Sequence, residues 1–155
     1  MAYAVDAGAG NWDYEYAVRN FNSHRSGQLF SIPLDAAATT ANIAFHDVAY
    51  HSGDGLGSVD FDGTDWATAQ AGARLTWATQ TFAQNQNANA LRWGTMYNFR
   101  FRANRPPTIT GTVTIGLFRP GSTGATNEVS VTGLPVPTIP TPACPADFNN
   151  SGAPA

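Results

Sequence analysis

The clearest pattern along the chain is a strict alternation in "WDYEYAV", which sets Trp12, Tyr14, Tyr16 and Val18 on one side and Asp13, Glu15 and Ala17 on the other. A period of two is the mark of a strand with one buried and one wet face. "MYNFRFRA" repeats it: Tyr97, Phe99 and Phe101 oppose Asn98, Arg100 and Arg102. In "TVTIGLF", Val113, Ile115 and Leu117 oppose Thr112, Thr114 and Gly116. Further strands are expected at 28–34, 42–50, 74–83, 110–118 and 128–134, divided by Gly, Asn, Asp and Pro clusters. No stretch carries a capped apolar stripe of helical period. The nearest, "TDWATAQAGARLTWA", is Ala-rich and predicts at most a helical turn, interrupted at Gly72.

Short strands with regular turn signals predict an all-β fold, an immunoglobulin-like antiparallel β-sandwich without the usual cysteine pair. Ahead of it, "AYAVDA" alternates briefly and "GAGN" reads as a flexible spacer. Beyond Leu134 comes "PVPTIPTPACPADFNNSGAPA", where recurrent proline excludes a central strand and favours an extended arm. The expected division is a strand and spacer at 1–11, the sandwich at 12–134 and a Pro-rich arm at 135–155.

Charged residues are only 12% of the 155 residues, about half the usual share of roughly 25%, so the surface is expected to be polar and nearly neutral. All eight basic residues are Arg, and the net charge is −3. Without a basic cluster, nucleic acid is not an expected partner. No apolar run reaches the roughly 18–20 residues that cross a bilayer, so no membrane span is expected. The single cysteine, Cys144, has no partner for an internal disulfide, and no charged start followed by an apolar stretch marks a leader.

Candidate chemistry is sparse. "FHDVAYHSGD" contains His46, Asp47, His51 and Asp54, a set that could ligate a metal or form a base with its orienting partner. Adjacent strand residues point to opposite faces, which sets His46 and Asp47 apart. The Gly-rich stretch that follows holds Asp60, Asp62 and Asp65, hard oxygen ligands for calcium if they converge, or turn residues if they do not. "DFNNSG" places Asp147, Asn149 and Ser151 at the first, third and fifth positions of an EF-hand loop, with Gly152 at the sixth, but no glutamate follows at the twelfth. Of the four tryptophans, Trp12 and Trp77 are expected in the core, while Trp66 and Trp93 sit in turn-rich contexts and are candidates for stacking on sugars. Thr138 and Thr141, set between prolines, are candidate O-glycosylation sites, and Asn149 opens an N-x-S pattern. No nucleophile motif, phosphate loop or dinucleotide fingerprint is present, so no catalytic residue, no enzyme activity and no cofactor other than calcium is expected.

Taken together, "WDYEYAVRNFNSHRSGQLFSIPL", "FHDVAYHSGD…FDGTDW", "NANALRWGTMYNFRFRANRPP" and "IGLFRPG" resemble a family of secreted bacterial β-sandwich proteins over residues 12 to about 121. "CPADFN" is similar to the start of a dockerin-like tail. The chain also resembles protomers of pilus-like fibrils that polymerise by donor-strand exchange. The resemblance implies an extracellular setting, a helical homopolymer with copies of itself as partner, and a donor strand of Ala2, Tyr3, Ala4, Val5, Asp6 and Ala7. The alternative is a monomeric secreted module that binds carbohydrate or calcium and is tethered by its Pro-rich tail. A metal-dependent hydrolase using His46 and His51 is a third reading.

Overall fold

The computed structural model describes residues 1–138. They form nine strands and no helix. In chain order these are β1 (Ala2–Gly8), β2 (Asn11–Arg19), β3 (Gly27–Pro33), β4 (Thr40–His46), β5 (Ala67–Ala71), β6 (Arg74–Ala78), β7 (Met96–Ala103), β8 (Pro107–Leu117) and β9 (Glu128–Pro137). One antiparallel sheet has the order β1-β2-β7-β4 and the other β5-β6-β3-β8-β9. The expected class is the observed one, an all-β sandwich of immunoglobulin-like character.

The alternating aromatics are what hold the two sheets together. Tyr14 and Tyr16 of β2 and Tyr97, Phe99 and Phe101 of β7 point inward and are almost fully buried. They meet Phe30 and Ile32 of β3, Leu75 and Trp77 of β6, and Val113 of β8. Each large side chain buried in this way contributes about 1.5–3 kcal/mol. Two inward phenols find main-chain acceptors: Tyr14 Oη donates to the Arg105 carbonyl at 2.8 Å and Tyr16 Oη to the Pro135 carbonyl at 2.5 Å. Burial pushes both hydroxyls well above the usual tyrosine range.

Two sequence expectations change here. The Ala-rich stretch expected to offer a helical turn is a β-hairpin: β5 and β6 pair from Ala67↔Ala78 to Ala71↔Arg74, and Gly72, at φ 56°, makes the turn. β5 is exposed along its whole length, so no buried face marks it in the sequence. The sandwich also continues past Leu134. β9 runs to Pro137 and Val136 is 1% exposed, packed into the core. Proline is excluded from central strands, but β9 is an edge, where one side of the strand needs no ladder bond.

Gly111 of β8, paired with Leu134, lies so close to the Val136 side chain that only glycine fits. A Cβ on Gly111 would lie 2.3 Å from Val136 Cγ2. Gly111→Ala is therefore expected to cost about 1–3 kcal/mol, read as a lower urea midpoint with unchanged slope. An unchanged midpoint would mean that β9 is free to move aside.

Candidate functional site

β1 is paired within its own chain. Its register against β2 runs Ala2↔Tyr16, Tyr3↔Glu15, Ala4↔Tyr14, Val5↔Asp13 and Asp6↔Trp12, with a bulge before Gly8↔Asn11. The amino group of Met1 donates to the Ala17 carbonyl at 2.9 Å, and Ala17 N–H returns a bond to the Met1 carbonyl at 2.8 Å. The segment expected to be a flexible spacer is a tight turn: Gly8, Ala9 and Gly10 are all left-handed, at φ 79°, 52° and 76°, and the Asp6 carboxylate accepts the Gly8 N–H at 2.8 Å. The facing differs from the apolar pattern as well. Ala2 and Ala4 point into the sandwich against the core, while Tyr3 and Val5 face outward, 45% and 54% exposed. On that inner face Ala2 stands beside Tyr16 and Ala4 beside Tyr14.

Outward positions of β1, β2, β7 and β4 line up in rows across the sheet. One row is Tyr3, Glu15, Arg100 and Ala44; the next is Met1, Ala17, Asn98 and His46; a third joins Val5, Asp13, Arg102 and Ala41. Ala17 and Ala44 are too small to fill their places, so a groove of about 610 Å³ opens among Tyr3, Glu15, His46, Met96, Asn98 and Arg100. Both carboxylates beside it have partners. Asp13 takes a two-pronged contact from Arg102, Nε to Oδ1 and Nη2 to Oδ2, each at 2.7 Å. That guanidinium holds the Asp13 carboxyl below the usual carboxylate range and is itself raised in return. The pair therefore supports folding above the ordinary aspartate range and is lost as the pH falls through the lowered value. Glu15 Oε2 accepts the Tyr3 hydroxyl, which raises that phenol. Arg100 is exposed, and among the described residues no carboxylate lies within salt-bridge reach of it.

The other sequence candidates do not converge. Asp60 Oδ1 accepts from Ser52 Oγ and Gly53 N–H, whereas Asp62 Oδ1 accepts from Thr64 N–H and Oγ1 and is held below the usual range by them. Asp65 is exposed and joins neither. Asp54 turns to the His51 backbone. Among the described residues no three His, Cys, Asp or Glu side chains form a group that could hold a metal. His46 ends β4 on the outer face, while Asp47 turns inward to Asn89, as the alternation of a strand requires. Trp66 proves to be core, 3% exposed and stacked on Phe45 at 5.6 Å, so its replacement would damage the fold before it tested sugar binding. Trp93 is 74% exposed in the turn before β7. Thr138 shares a hydrogen bond of 2.6 Å with Thr108. Thr141, Cys144 and the half EF-hand of Asp147, Asn149, Ser151 and Gly152 lie outside the described residues.

Comparison of the chain with protein-family models and with curated proteins finds no match. The site therefore stands on its own geometry. The sequence placed Asn98, Arg100 and Arg102 on a wet face, but the row that sets Tyr3 and Glu15 beside Arg100 depends on strand order and register, which alternation alone does not specify.

Proposed function

We propose that this protein is the structural subunit of an extracellular fibre whose copies are joined by exchange of β1, the hairpin described above being the closed form of the single chain. The observation that supports the reading is the character of the β1 edge. A sheet edge is a template for another chain unless it is blunted. Three of the four edges carry a device: β4 has a bulge between Ala41 and Ala44, β9 contains Pro135 and Pro137, and β5 is only five residues long. β1 has a bulge only at its turn end, between Asp6 and Gly8, and its five residues from Ala2 to Asp6 pair without interruption. It is anchored inward by two alanines alone.

The turn adds to this. A left-handed alanine costs roughly 1–2 kcal/mol, and Ala9 is released from that conformation when the hairpin opens. The ladder from Ala2↔Tyr16 to Asp6↔Trp12 is the same whether β1 comes from its own chain or from a neighbour, so these local energies cancel between the two forms. Short hinges under strain tip such a balance towards exchange. The resulting contact, donor on one copy and acceptor on the next, is heterologous and propagates unless it closes a ring.

Removal of residues 1–8 is expected to abolish filaments in negative-stain images, and Ala9→Gly, which relaxes the turn, to raise the concentration needed for assembly several-fold. The truncated chain could instead misfold, so a second variant keeps the test decisive. Val5 and Asp13 face each other; as a pair of cysteines in a Cys144→Ser background they should lock the hairpin when oxidised in the monomer and block assembly, and they should cross-link copies into a ladder when oxidised in the fibre. Filaments that survive truncation, or a fibre whose cysteines close only within one chain, would overturn the reading.

A further inference from the structure

We propose that the outer groove of the β1-β2-β7-β4 sheet binds a carboxylated polysaccharide, with Arg100 receiving the carboxylate and Tyr3 packing against a neighbouring sugar ring. This inference does not rest on strand exchange, because Tyr3 occupies the same row whichever copy supplies β1.

The chemistry of the groove selects this ligand. Arg100 is an exposed guanidinium with no ion-pair partner among the described residues, since Asp13 is occupied by Arg102 and Glu15 by the Tyr3 hydroxyl. A free fork of this kind matches a carboxylate in two-point contact. Around it stand groups that suit hydroxyls: the Asn98 amide can donate and accept, the His46 ring lies in the next row, and Glu15 keeps Oε1 as an acceptor. Tyr3 and Met96, 45% and 47% exposed, offer apolar surface at two edges of the trough. Its width across four strands is about 14 Å, three spacings of about 4.8 Å, which accommodates a short run of sugar units lying flat. A strongly acidic peptide is a poorer fit, because it brings carboxylates but no row of hydroxyls for Asn98, His46 and Glu15 Oε1 to bond. A neutral sugar would offer the Arg100 fork no carboxylate to hold in two-point contact.

The test is calorimetric titration of the full chain with polygalacturonate, using methyl-esterified polygalacturonate and polyglutamate as comparisons. Binding is expected for polygalacturonate, weakened by added salt. It should fall about 10- to 100-fold on Arg100→Met, which keeps the stem and removes the fork, and by a similar factor on esterification of the polymer. Tyr3→Ala should weaken it several-fold, and Trp93→Ala, outside the groove, should leave it unchanged; melting curves of the Arg100→Met protein should match those of the parent. Absence of binding, equal binding of the esterified polymer, indifference to Arg100→Met, or binding of polyglutamate as tight as that of polygalacturonate would each overturn the proposal.

Discussion

Phe99→Ala is expected to cost about 3–5 kcal/mol, among the largest losses from a single truncation in this protein. Phe99 lies at the centre of the aromatic core, its ring 4.6 Å from Phe30, 5.4 Å from Phe45, 5.5 Å from Trp66 and 5.4 Å from Trp77. Those partners come from β3, β4, the segment before β5, and β6, so one ring joins both sheets. Rings fixed by a surrounding framework relax little into a void, and the cavity term adds to the lost transfer energy. For a domain of this size each kcal/mol shifts the melting temperature by about 2–4 °C, so calorimetry should show a fall on the order of 10 °C. A loss under about 1 kcal/mol would mean that the core is loose enough to collapse around the gap.

Asn89→Leu is expected to cost about 3 kcal/mol through unmet polar groups rather than lost apolar contact. Asn89 is completely buried. Its amide donates to the Asp47 carboxylate and to the Thr64 carbonyl at 3.0 Å, and its side-chain oxygen accepts from Tyr97 Oη at 2.6 Å. Its carbonyl accepts the Trp66 indole N–H. Leucine would occupy similar space but leave Asp47 and the Thr64 carbonyl without this donor, and a buried group deprived of its partner costs about 1–3 kcal/mol, more when charged. Asp47 follows His46, so the same network also fixes one wall of the outer groove. A lowered urea midpoint, with faster amide exchange across residues 47–66 than elsewhere, would carry the prediction. Uniform exchange at an unchanged midpoint would refute it.

Much of the core was legible in the chain. The alternation in "WDYEYAV" and "MYNFRFRA" assigned Tyr14, Tyr16, Tyr97, Phe99 and Phe101 inward, and all five are buried. Trp77 is likewise in the core, and Trp12 packs against it half-buried. Where pattern and structure differ, the local signal is weak or shared. β5 is a strand with no buried face, so its alanines carried no period. Val136 follows a proline in a stretch whose composition predicts an arm, although an edge strand tolerates proline. The larger apolar residues of "AYAVDA" are Tyr3 and Val5, yet the core takes Ala2 and Ala4, which stand beside Tyr16 and Tyr14 on the inner face.

Period-two alternation is a property of neighbours along the backbone, so the chain by itself determined the all-β class, the inward aromatics of β2 and β7, and the wet side of β7 that carries Asn98 and Arg100. Strand order and register depend on which distant segments find each other. Only the tertiary structure decided that Tyr3 and Glu15 stand beside Arg100, that Asp60 and Asp62 turn to different backbone partners, and that Trp66 is buried rather than presented. Those outcomes turn on small differences between long-range pairings, and a pattern read one stretch at a time does not contain them.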